Sequence, residues 1–339
     1  MSATLPDNRF RFVSNVPAAA ARQGSALLES AYASRLPAVE VEAAAEFALL
    51  EKAAATRRAY RTDFDIFRAW CIERGASAIP AAPQTVTAFL ACEAARRRPA
   101  TISRRIAAIR YAHKLAGFTL PTDNEHVRAT MRGIRRSLGT ASKKKAPATV
   151  ERILAMAPKP TGHLASLRDR ALLLLGFASA LRRSELVALN VENIEVSDAG
   201  LRLTIRRSKT DQEGQGQVIA VPRGMVACPV AALRAWLDAV GINEGAIFRP
   251  IGKGNRIRDR RLTDRSVAAI VKSHAARVGL DPAYFAGHSL RSGFLTSAAA
   301  RNASIFKMAD QSRHKSLDTL RGYIRDAELF RDHAGAGLL

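Results

Sequence analysis

The sequence predicts a mainly α protein with a small β-sheet, divided into two domains. Three observations carry this. Apolar residues recur at helical spacing over most of the chain from about residue 50. One stretch, LRLTIRRSKTDQEGQGQVIAV, alternates with a period of two instead, and the connector GTASKKKAPAT separates two long ordered regions. At 339 residues there is room for two cores.

Residues 1–45 read as a loose N-terminal tail. The first 55 residues are Ala-rich and nearly neutral, with 5 Lys and Arg against 6 Asp and Glu, and Pro17 and Pro37 interrupt them. Residues 46–138 read as a helical domain, with helices at about 50–74, 84–96, 100–116 and 123–137 and Pro or Gly between them. The last opens on TDNE, where Thr122 and Glu125 have capping-box spacing. Val127, Met131, Ile134 and Leu138 give it one apolar stripe, opposite Arg128, Arg132, Arg135 and Arg136. The helix before it repeats the design, with Ile102, Ile106 and Ile109 inward and Arg104, Arg110 and Lys114 outward.

Residues 139–149 have the small and charged composition of an exposed basic linker. From 150 to 339 the pattern is again helical, broken by one β-hairpin in which Leu201, Leu203 and Ile205 alternate, QVIAV returns and Lys209 is at the tip. ALLLLGFASAL at 171–181 is too short to span a bilayer and reads as a buried core helix. Ser184 is placed to cap a short helix after Arg182, and Ser316 one that runs through Leu317, Leu320 and Ile324.

Charge narrows the partner. Lys and Arg number 53 against 30 Asp and Glu, a net charge of +23. Residues 56–146 alone hold 19 basic and 6 acidic residues, so their excess is 19 − 6 = +13. Such an excess calls for an anion, and nucleic acid fits better than a membrane because no amphipathic anchor with large apolar residues stands out. The two basic helix faces carry almost no acid, which favours DNA contact over mere solvation. The N-terminus lacks a charged start followed by an apolar run, so a cytoplasmic protein is expected. Cys71, Cys92 and Cys228 are odd in number and widely spaced, which argues against disulfides and zinc; no metal site and no cofactor are expected.

Several residues suit phosphate chemistry. Arg182 precedes a helix start, and His288 and Arg291 in GHSLRSG are three residues apart at another. In RHKSLDTLRGYIRD, His314 precedes a helix on which Tyr323 rides, nine residues later. Phosphoryl transfer gathers negative charge on oxygen, and arginine forks meet it best. A phenol, with a pKa near ~10, needs a base or nearby positive charge to act as a nucleophile. His288 can be that base.

The ordered series Arg182, Lys209, His288, Arg291, His314 and Tyr323 resembles the tyrosine recombinases, the phage integrase superfamily, over nearly the whole chain from about residue 50. HKSLDTLRGYIR and GHSLRSG are similar to the Cre-like branch. The resemblance implies a helical, SAM-like core-binding domain ahead of an α+β catalytic domain with a C-terminal helix. It implies a site-specific recombinase working as a homo-tetramer on two DNA sites, through a 3′-phosphotyrosyl link and a four-way junction. It makes Tyr323 the nucleophile, Lys209 the donor of a proton to the departing 5′ oxygen and His314 a partner of a non-bridging oxygen. Leu329 and Phe330 would pack into a neighbouring subunit. Glu185 reads either as the orienter of a histidine or as a structural ion pair. Two departures stand out: Ser312 and Arg313 occupy positions where many relatives have Leu-Gly, and Arg183 replaces a commonly apolar residue. A type IB topoisomerase and a non-catalytic DNA-binding regulator derived from a recombinase remain the alternatives.

Overall fold

The structure is a computed structural model that describes residues 37, 39, 40, 43, 47, 51–141, 145–206, 216–314 and 316–327. Nearly all of the expected tail, the hairpin tip with Lys209, and Leu329 and Phe330 lie outside the described residues. The chain divides into two compact units, Met1–Ser142 and Lys143–Leu339.

In the first unit four helices, α1 (Ala54–Ile72), α2 (Pro83–Ala94), α3 (Pro99–Leu115) and α4 (Glu125–Leu138), enclose one core. α2 and α3 each start on a proline, whose fixed φ suits the first turn and whose missing N–H has no partner to lose there. Phe67 and Trp70 of α1 meet Phe89 of α2 edge to face at 5.0 and 5.5 Å. Val127, Met131 and Ile134 are buried as their spacing predicts, but Leu138 is exposed because α4 ends there, at Gly139. Asn124 rather than Thr122 caps α4, accepting from the His126 N–H at 2.9 Å; Thr122 is buried in the preceding turn.

The second unit is built on the apolar helix α6 (Leu164–Ala178), whose residues 171–176 are buried on all sides. Around it lie α5 (Val150–Met156), α7 (Arg183–Ala188), α8 (Pro229–Val240), α9 (Asp264–Arg277) and α10 (Ser289–Ala300). The hairpin strands β2 (Gly200–Ile205) and β3 (Gln217–Pro222) pair antiparallel with Leu203 opposite Ile219, and the short β1 (Ile194–Val196) adds a third strand. A second small hairpin, β4 (Ile251–Gly252) with β5 (Arg256–Ile257), was not foreseen because two-residue strands carry no alternation to read.

Residues 145–149, though part of the stretch whose composition suggests an exposed linker, are held down. Ala146 donates to the Tyr284 carbonyl at 2.7 Å and Ala148 to that of Ser289 at 2.9 Å. Ala148 is fully buried. Gly293 of α10 permits this: a Cβ there would lie 1.9 Å from the Ala148 oxygen. α11 (Ile305–Ser312) and α12 (Leu317–Ala327) complete the unit, packing on α10 through Leu295, Ala299, Met308 and Leu320. Among the described residues no helix is long and apolar enough to cross a membrane.

Candidate active site

Five of the six residues in the ordered series lie in the described part of the second unit, and local folding explains how they meet. α6 ends in a turn where Ala180 takes a left-handed φ of 49°. That turn exposes the Ala180 carbonyl, which accepts from Nη1 of Arg291 at 2.7 Å. Arg291 is 1% exposed. A guanidinium buried this deeply needs bonds to offset its desolvation, and its Nη2 lies 3.2 and 3.3 Å from the two ring nitrogens of His314.

Arg182 is the N-cap residue of α7. Glu185 one turn on is buried, accepting from the Arg182 backbone N–H at 2.8 Å and from its Nη1 at 2.7 Å. The carboxylate therefore does the capping from inside the helix, and Ser184, expected in that role, lies within the helix instead. The other partner of Glu185 is Nη2 of Arg313. Of the two roles considered for Glu185, the ion pair is the one observed. No hydrogen bond links its carboxylate to a histidine among the described residues.

His288 is the N-cap residue of α10 and exposed, so it opens on solvent beside the buried Arg291. Desolvation by the side chains around it, reinforced by the Arg291 and Arg182 guanidiniums, holds it below the ordinary imidazole value. His314 is pushed further, to about 4, first by burial and then by Arg291, Arg182, His288 and Arg313. Burial and the neighbouring Arg182 bring even Arg291 down to about 10.

The buried hydroxyl of Ser312 fixes the His314 tautomer. It donates to the Met308 carbonyl at 2.5 Å, so His314 Nδ1, 2.7 Å from the same oxygen, carries the proton and donates to it. Nε2 keeps its lone pair. Gln311 anchors the same turn, its amide donating to the carbonyls of Ala178 and Ala220 at 3.0 and 2.9 Å. Tyr323, on α12, packs half-buried against the cluster of Leu295, Met308 and Leu320. Its phenol is within electrostatic reach of Arg291, since its negative charge would raise that arginine's proton affinity.

The arginines proposed for DNA contact lie on exposed faces of α3 and α4, but most have partners within the protein. Arg104 forms a fork on the buried Asp63 at 2.6 and 3.1 Å. Arg110 and Arg128 share Asp123, Arg132 pairs with Glu125, and Arg135 donates to Ser103 at 3.2 Å. Lys114 and Arg136 are exposed, and Arg136 makes no hydrogen bond or ion pair among the described residues. The two faces are thus less purely basic than the helix sequences alone suggest, because acids from α1 and the turn before α4 reach them. The sequence reading also missed Ser312 and Arg313 as site components, and the exposed basic hairpin with Lys253, Arg256, Arg258 and Arg260. The signal for the first two was the departure from Leu-Gly; for the hairpin it was the run NRIRDRR.

The pattern that defines the phage integrase family matches residues 146–329. The integrase/recombinase xerD homolog of Selenomonas ruminantium is 41% identical over 293 residues, covering 84% of this chain and 86% of that protein. The tyrosine recombinase XerC of Herpetosiphon aurantiacus is 28% identical over 278 residues, covering 79% and 83%. Among solved structures, a lambda integrase (75–356) dimer bound to a COC′ core site aligns with a TM-score of 0.56 at 17% identity, covering 84% of this chain and 92% of that one. XerH recombinase bound to a palindromic difH substrate, a post-cleavage complex, gives 0.56 at 15% identity, covering 76% and 72%. At these identities the likeness is one of fold.

Proposed function

The chain belongs to the phage integrase family and is a tyrosine site-specific recombinase; on that premise we propose that Tyr323 is the nucleophile that attacks a DNA phosphodiester. The observation that supports this reading best is the convergence of Arg182, Arg291, His288 and His314 at the end of α6, with the phenol of Tyr323 in reach of the same field. Arg182 and Arg291 hold the non-bridging oxygens and offset the charge that gathers on them in the transition state. His288, kept neutral at pH 7, takes the phenol proton. Lys209 gives a proton to the 5′ oxygen as the P–O bond breaks, leaving a 3′-phosphotyrosyl link and a free 5′ hydroxyl. The reverse step, with the 5′ hydroxyl of another strand, releases Tyr323 and rejoins DNA without energy input, because the ester bond is conserved.

His314 contributes in a second way. Its Nε2 lone pair cannot donate, but a phosphate's negative charge offsets the guanidinium field that depresses the imidazole. As Nη2 of Arg291 turns from Nε2 to the phosphate, a proton binds Nε2, and the ring donates to a phosphate oxygen. The first unit serves as the core-binding domain, its basic helices lying along the duplex, and the reaction takes place in the cytoplasm. Four copies on two DNA sites exchange strands in two steps through a four-way junction, with the segment beyond α12 reaching a neighbouring copy.

The test is a nicked duplex copied from DNA that the chain captures covalently in its host. The chain should become trapped on it, and Tyr323→Phe should bind the duplex without trapping. An adduct with the Phe variant would rule out this nucleophile. Relaxation of supercoiled DNA of any sequence by the parent chain would point to a topoisomerase instead.

A further inference from the structure

We infer that Arg313 is a positioning residue of this site: through the carboxylate of Glu185 it fixes Arg182 and keeps the Arg182–Glu185 pair from presenting zero net charge to the phosphate. The inference rests on the recombinase reading, but the observations behind it are independent of that reading.

Arg313 is an unexpected residue where it stands. It is the C-cap residue of α11 with φ 56° and ψ 47°, a left-handed conformation that glycine takes freely and arginine resists. Its side chain is nonetheless folded inward, 2% exposed. Nη2 donates to Glu185, while Nε and Nη1 are buried without a hydrogen-bond partner. Both features oppose folding. The turn itself needs neither, because its bonds, His314 N–H to the Ala309 carbonyl at 3.2 Å and Arg313 N–H to that of Asp310 at 3.3 Å, are made by the backbone and a glycine could make them.

What the side chain adds lies in the geometry around Glu185. One carboxylate oxygen takes Nη1 of Arg182; the other takes the Arg182 backbone N–H and Nη2 of Arg313. The carboxylate is held from two sides, so Arg182 is clamped against a fixed anion rather than a mobile one. The charge count changes as well. Arg182 with Glu185 sums to zero, a poor partner for a phosphodiester, and Arg313 returns that group to +1. The same cation acts on Arg291 and His314, lowering the proton affinity of both. Its one bonded donor, Nη2, is committed to Glu185, so Arg313 acts through Glu185 on Arg182.

The experiment uses the full chain and four variants: Arg313→Gly, Arg313→Lys, Glu185→Gln and the Gly–Gln double change. Covalent trapping on the nicked duplex is followed in a single turnover, with duplex affinity measured separately. Arg313→Gly suits the backbone and should fold. Its trapping should slow by about tenfold to a hundredfold, the usual cost of removing a support one bond from the working groups, while affinity changes less than about threefold. Arg313→Lys should recover part of the rate. In the Glu185→Gln background the glycine change should slow trapping by no more than about twofold, because the link is already cut. A glycine variant that traps at the parental rate, or whose loss multiplies with that of Glu185→Gln, overturns the inference. If the parent traps no DNA, the recombinase reading fails, and urea unfolding of the parent, Arg313→Gly, Glu185→Gln and the double change still decides the point. Non-additive stabilities support the clamp, and additive ones overturn it.

Discussion

Acid should weaken the second unit through His314, by an amount the structure allows to be worked out. The imidazole is depressed from 6.5 to about 4 in the folded protein, by burial first and then by the guanidiniums of Arg291, Arg182 and Arg313, with His288 adding to them when it is protonated. A group whose folded pKa is depressed stabilises the fold fully above its unfolded value and loses that contribution as pH falls. Between 6.5 and 4 the unfolded chain binds the proton and the folded chain does not. Each unit is worth about 1.4 kcal/mol, so the whole shift amounts to about 3 kcal/mol, of which about 2 should be lost by pH 4.5. The chain has two tryptophans, and Trp236 is fully buried in the second unit with its indole N–H on the Ile247 carbonyl at 2.8 Å. In a Trp70→Phe background its fluorescence reports that unit alone. Urea unfolding at pH 7.5 and 4.5 would be compared with and without His314→Asn. Carboxylate contributions cancel in the comparison, so the parent should lose about 2 kcal/mol more than the variant. Equal losses would mean that the guanidinium field does not act on His314.

Two further outcomes follow from the site and the basic helices. Arg136→Ala should reduce the slope of log affinity against log salt by about one, whereas Arg132→Ala, whose guanidinium must first leave Glu125, should reduce it less; identical slopes in parent and both variants would make α4 a merely solvated face. Lys209→Ala should slow cleavage by about a hundredfold or more on ordinary DNA but far less on a duplex whose scissile 5′ oxygen is sulfur, because a thiolate leaves without a proton. An equal loss on both substrates would remove Lys209 from the leaving-group step.

Helical periodicity in the sequence located α1 to α4 because their burial follows local spacing, and the unbroken apolar run at 171–181 located the core helix α6. Arg182, His288 and His314 are legible in place for a similar reason: each lies at a helix start or in a turn that its neighbours in sequence define. What escaped was set by partners distant in the chain. Arg105 looks like one more surface arginine on α3, yet it is buried beside Asp63 and Glu93, acids from two other helices. Arg104 looks free until Asp63, 41 positions earlier, is brought alongside. Arg313 and Glu185 are 128 residues apart, and no local pattern joins them. β1, three residues long, is a strand only because β2 is there to pair with it.

The two guanidiniums of the site differ in how evolution or a protein engineer can reach them. Arg182 leans on a side chain, so a single codon change at 185 or 313 alters what holds it. Nη1 of Arg291 leans on the carbonyl of Ala180, an acceptor every amino acid carries, so no replacement at 180 removes that bond without redrawing the turn itself. Directed variation of tempo should therefore accumulate around the first arginine and leave the support of the second untouched.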